Sequence, residues 1–189
     1  MVPRNKNPQL TGWPNYRPNP ERWSQDFPAE ANLGVLLGKP SGDLVDVDCD
    51  WPETGILAKE FLPPSWTFGR PDDGNDLMVR HLLLRSVGAK TQSFDAPASA
   101  VNDKNRRIIE IFADGRQVMM PPSIHPNGQR VQWIVAPGEI DLCQVFPEDL
   151  KRQVSQLAGA ALLVRHWPHL KGSQHQVVAA LAGSDQFRS

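Results

Sequence analysis

Residues 44 to 49 read Leu44-Val45-Asp46-Val47-Asp48-Cys49. Apolar and acidic residues alternate along this stretch, which is the period of a half-buried strand. Successive strand side chains point to opposite faces. Leu44, Asp46 and Asp48 therefore share one face, and Val45, Val47 and Cys49 share the other. At a rise of about 3.3 Å per residue the two carboxylates stand roughly 7 Å apart. That separation suits a pair of Mg²⁺ or Mn²⁺ ions about 3.5–4 Å apart, hard cations that take carboxylate oxygens. Two like charges on a core strand with no cation to offset them would be costly.

Working outward, the first 30 residues are Pro-rich, with Pro3, Pro8, Pro14, Pro18, Pro20 and Pro28. Proline removes backbone donors and fixes φ, which excludes one long helix or a central strand there. A helical turn fits Pro20 to Ser24. Asn32 to Leu37 reads as a buried strand and Gly38 to Gly42 as a turn. Beyond the acidic strand, Thr54 to Phe61 reads as a short helix stopped by Pro63 and Pro64. Val79 to Ser86, Arg107 to Phe112 and Gln117 to Met120 read as further strands. Asn127-Gly128 is a hairpin-turn signal, with Arg130 to Val135 as the returning strand. After Pro147 the period changes. Glu148 and Asp149 suit a helix N-terminus, and Leu150, Val154, Leu157, Ala161 and Val164 form an apolar stripe at helical spacing. Ser173 and Gln176 form a capping box for a second helix. The expected organisation is an α+β core over residues 1–146 and a helical appendage or linker over 147–189.

A formal net charge of -1 means that any nucleic-acid partner must be held by a local patch rather than by overall basicity. The two cysteines, Cys49 and Cys143, make neither a disulfide framework nor a CxxC zinc pair. Reduced thiols point to a cytoplasmic protein. No apolar run approaches the roughly 20 residues of a membrane span, and no signal-peptide core opens the chain.

A third acid, Glu110, sits in Ile108-Ile109-Glu110-Ile111-Phe112, flanked by apolar residues on both sides. In Pro121-Pro122-Ser123-Ile124-His125-Pro126 an extended backbone would present Ser123 and His125 on one side, a hydroxyl and an imidazole suited to gripping phosphate. Acyl chemistry lacks a nucleophile elbow. Gly38-Lys39-Pro40-Ser41-Gly42 lacks the preceding glycine of a P-loop.

From about Asn5 to Trp133 these residues resemble the bifunctional DNA primase/polymerase N-terminal domain of the archaeo-eukaryotic primase superfamily. The resemblance begins at Asn5-Lys6-Asn7-Pro8 and Gly12-Trp13. It runs through Ala31-Asn32-Leu33-Gly34-Val35, Gly38, Ser41-Gly42, Asp46-Val47-Asp48, Phe68-Gly69-Arg70 and Ile109-Glu110-Ile111. Its most specific stretch is Pro121 to Gly128. It implies a mixed β-sheet related to the RNA-recognition fold, with Asp46, Asp48 and Glu110 as metal-binding and catalytic acids. It also implies a histidine that contacts the incoming triphosphate. His81 takes that place, with Arg80 where the family has serine, and an ungapped alignment leaves Leu77 there instead. Arg165-His166-Trp167-Pro168 and Leu181-Ala182-Gly183 are similar to the helical region that follows this domain in phage and plasmid primase-helicases.

The expected activity is template-directed nucleotidyl transfer, as primase and DNA polymerase in replication. Asp46, Asp48 and Glu110 would hold Mg²⁺ or Mn²⁺. His81, Ser123 and His125 would hold the triphosphate, with Arg116 assisting. The partners implied are single-stranded DNA template, nucleoside triphosphates and a downstream helicase module. Two rivals stand beside this reading. One is a metal-dependent nuclease using the same acids. The other is an inactive template-binding module, favoured if Leu77 occupies the histidine place.

Overall fold

The computed structural model describes residues 12–17, 19–71, 76–98 and 106–166. The sequence signals at residues 5–8, 173–176 and 181–183 lie outside them. Along the chain, a 3₁₀ turn at Pro20–Arg22 runs into α1 (Trp23–Asp26), then come β1 (Leu33–Leu36) and β2 (Leu44–Cys49). Next are α2 (Pro52–Phe61), β3 (Trp66–Pro71), β4 (Leu77–Arg85), β5 (Gln92–Asp95) and β6 (Arg107–Phe112). β7 (Gln117–Met120), β8 (Gln132–Val135) and α3 (Pro147–His166) complete the α+β order.

Six strands form one sheet in the order β5-β6-β2-β4-β3-β8, and β1 pairs with β7 in a separate two-stranded sheet. Every strand pair in both sheets is antiparallel. The strand carrying Asp46 and Asp48 therefore lies inside the large sheet, hydrogen-bonded on both sides.

The alternation in β2 separates two cores. Val45, Val47 and Cys49 join Leu82 and Leu84 of β4 and Ile109 and Ile111 of β6 beneath α2 and α3. Pro52 opens α2 at a position where its missing N–H costs nothing, and Gly55 lets the helix approach β4, because a Cβ there would strike the Val79 carbonyl. In α3 the whole predicted stripe is buried: Leu150, Val154, Leu157, Ala161 and Val164 all belong to this same core. Arg165 in the last turn of α3 donates to both carboxylate oxygens of Glu53, at 3.0 and 2.6 Å. Its guanidinium lies 3.6 Å from the Trp51 ring centre, so the end of α3 is fastened to the start of α2.

On the other face, Leu44, Phe68 and Leu83 pack with Leu37, Val118, Met119 and Val131. Val118 and Met119 of β7 pack on this face and line one cavity together with Asp48.

Four features depart from the sequence expectation. β1, expected as a buried strand, is exposed at Leu33 and Gly34 and half-buried at Val35 and Leu36. β3 and β5 are additional strands. The Asn127-Gly128 turn forms, with Gly128 at φ 89, but only the Ile124–Arg130 bridge closes it as a hairpin. The strand beyond it is shorter than Arg130 to Val135 and crosses to pair with β3 rather than with β7. Among the described residues, no helix is long and apolar enough to cross a membrane.

Candidate active site

Sheet register sets the site. Asp48 faces Glu110 on β6 and His81 on β4. Glu110 in turn faces Ser93 on β5, and His81 faces Phe68 on β3, which faces Trp133 on β8. Paired residues share a face, so one transverse row crosses all six strands: Ser93, Glu110, Asp48, His81, Phe68, Trp133. Its first half is polar and its second half aromatic. Ser93 donates to Glu110 at 2.8 Å. The His81 ring stacks on Phe68 with centres 4.7 Å apart, and Trp133 meets Phe68 edge-on at 5.4 Å.

Asp46 lies one step deeper and is fully buried. Its Oδ2 is 2.9 Å from His81 Nδ1, and Asp48 Oδ1 is 3.6 Å from the same nitrogen. Burial alone would lower the His81 pKa, but the negative charges of Asp46 and then Asp48 raise it above the usual imidazole range. Burial raises Asp46 against the pull of His81. The remaining Asp46 oxygen, Oδ1, is buried with no hydrogen-bond partner among the described residues.

Among the described residues, Asp48, Asp50 and Glu110 converge, each offering an oxygen within 4.8 Å of the others. Asp50 continues the same two-residue spacing past the end of β2. Its carboxyl is pushed up to about 7, first by loss of solvation and then by the charges of Asp48 and Glu110, although the residue keeps solvent contact at the lip of the sheet. Arg107 forms ion pairs with both Glu110 and Asp95 and braces the outer side of the cluster.

A cavity of about 220 Å³ opens beside these acids. Asp48, His81, His125, Arg70, Phe112 and Gln117 are in its wall. The sequence-predicted residues divide accordingly. Asp48, His81 and His125 meet at the cavity and Glu110 stands next to Asp48, while Asp46 supports His81 from beneath. Ser123 is buried under β1, where its hydroxyl accepts from the Leu33 amide at 2.9 Å. The Arg116 guanidinium lies 5.7 Å from the ring centre of Phe112, beside the cavity wall. Two residues of the site, Asp50 and Arg70, were not singled out from sequence. The series Asp46, Asp48, Asp50 carried the signal for the first.

A family model for the bifunctional DNA primase/polymerase N-terminal domain matches residues 1–149. The chain belongs to this family. The match spans all eight strands and the first residues of α3. No curated protein and no solved structure matches the chain. Membership in the primase/polymerase family implies an enzyme of the nucleotidyltransferase type that acts on DNA and nucleotides, and the acidic group at its site could hold a divalent metal.

Proposed function

We propose that this primase/polymerase domain is a template-directed nucleotidyltransferase that joins nucleoside triphosphates on single-stranded DNA during replication, using Mg²⁺ or Mn²⁺. The observation that supports this reading is the convergence of Asp48, Asp50 and Glu110, of which Asp48 lines a cavity that His81 and His125 also line.

The donor set fits a hard divalent cation. It is all oxygen, Asp48 and Glu110 come from adjacent strands held in register, Asp50 follows the end of β2, and an unpartnered buried Asp46 oxygen lies one step below. Asp48, Asp50 and Glu110 would hold the ions, with Asp46 as a further ligand or as the brace of His81. Bound there, such ions supply Lewis acidity toward the transferred phosphoryl group and lower the pKa of the attacking hydroxyl.

The chain's own residues bind and orient. His81, held by Asp46 and stacked on Phe68, presents a fixed, positively biased ring to phosphate oxygens. His125 lines the same cavity. Ser123 anchors the His125 loop to β1, and Arg116 stands at the rim. In the reaction, the primer 3′ oxygen bonds to the α-phosphorus, the α–β anhydride bond breaks, pyrophosphate departs with the electron pair, and the hydroxyl proton passes to solvent. Template contacts go to the sugar-phosphate backbone, because synthesis must accept any sequence.

The test is to incubate the protein with primed and unprimed single-stranded templates, labelled nucleotides and Mg²⁺ or Mn²⁺. Template-dependent incorporation that stops on chelation is expected. Cutting of the template without incorporation would make the protein a nuclease.

A further inference from the structure

Two arginines stand beside the carboxylates without pairing to them. The pairing of β3 with β4 carries a bulge: Phe68 faces His81, but Gly69 faces Val79, so Arg80 has no residue opposite it. Gly69 makes the bulge possible. A Cβ at that position would strike the Met78 carbonyl and come within 3.1 Å of the Arg80 amide nitrogen. Bulges re-aim side chains, and this one brings Arg80 next to His81.

Arg70, one residue beyond Gly69, lines the cavity. Among the described residues neither arginine forms an ion pair, and the Arg80 Nε is buried with no hydrogen-bond partner. Burial and then the neighbouring Arg80 charge lower the Arg70 pKa. Two crowded, partly desolvated guanidiniums are costly unless an anion joins them. Planar guanidinium forks match phosphate oxygens two at a time.

We propose that Arg70 and Arg80 form a docking pair for the terminal phosphates of the incoming nucleoside triphosphate, on the β3–β4 side of His81 and opposite Glu110. This rests on the nucleotidyltransferase reading. The choice of triphosphate over DNA backbone follows from position. The pair lies on β3 and β4, on the other side of β2 from Glu110 on β6, so a polyphosphate bridging metal and arginines would have both ends held.

The test titrates the whole chain, with Mn²⁺ present, against dATP, dAMP, inorganic triphosphate and a single-stranded oligonucleotide. The parent should prefer dATP to dAMP. Arg70→Gln and Arg80→Gln should each weaken dATP and inorganic triphosphate by about tenfold or more, the loss of one charge-assisted contact, with dAMP and oligonucleotide nearly unchanged. Lysine at either position should recover part of the loss, and it carries the test if a glutamine variant fails to fold. Unchanged triphosphate binding in both variants overturns the assignment. A loss mainly on the oligonucleotide arm overturns it too and makes the pair a backbone contact. A parent that binds no nucleotide overturns the nucleotidyltransferase reading itself, whereas a discriminating parent with indifferent variants overturns the arginine pair alone.

Discussion

The two faces of the six-stranded sheet come from the same strands and answer to different demands. Under α2 and α3, Val45, Val47, Cys49, Leu82, Leu84, Ile109 and Ile111 make a dry interface, where shape and volume decide stability. On the opposite face, one residue along each strand, Asp46, Asp48 and Glu110 crowd like charges together, offset only in part by His81. That face raises the pKa of Asp50 to about 7 and leaves an Asp46 oxygen unpartnered. Such an arrangement lowers stability in the absence of a ligand. The first face provides the stability that the second gives up, and both are encoded in the six letters of β2.

The largest test of this division removes the cover from the dry face. A chain ending at Phe146 would expose Leu150, Val154, Leu157, Ala161 and Val164 along with the sheet beneath them. At about 1.5–3 kcal/mol for each large side chain, the loss approaches the whole stability of a domain, about 5–15 kcal/mol. The truncated chain should lose cooperative unfolding in a thermal melt. If it melts sharply and still binds metal, residues 147–189 are an appendage and the two-face account needs another source of stability.

Asp48→Asn should do the reverse. If the proposed metal acts there, incorporation should drop by about a hundredfold or more, because several kcal/mol of transition-state stabilisation would depend on it. The melting temperature should stay level or rise, since repulsion with Asp50 and Glu110 is relieved. A clear decrease in melting temperature would show that the acidic face is structural after all.

The smallest effect sharpens the comparison within the polar face. Ser93→Ala removes the hydroxyl that orients Glu110. Removing a group that orients a metal ligand weakens metal binding about tenfold, and Mn²⁺ titration should register this with little change in melting. Unaltered Mn²⁺ affinity would mean that Arg107 alone positions Glu110.

Local signals made part of this legible. The period of β2 gave both faces, and the apolar stripe of α3 gave its buried side, because each depends only on neighbours along the chain. β3 was missed because Gly69 and Pro71 interrupt an otherwise strand-like run, and the glycine belongs to a bulge visible only once β4 is alongside. β5 is a short edge strand whose exposed Ser93 and Asp95 carry little apolar signal. The Ser123 hydroxyl bonds to Leu33, 90 residues away. Contacts of that range cannot be read from spacing. The order of acids and the Pro121–Gly128 segment pointed to the family before any register was known. Arg70 was quoted in that pattern, but its partnership with Arg80 depends on the bulge.

The transverse row from Ser93 to Trp133 takes one residue from each strand at spacings of about 4.8 Å. A strand that slipped by a single position would turn its residue to the other face, burying a charge among Val47 and Ile109 and breaking the row at that point. A two-position slip would keep the faces and still lift an acid or a ring out of line. The row therefore works as a parity check on the sheet: a misassembled molecule cannot keep Asp48 beside Glu110 and also stack His81 on Phe68.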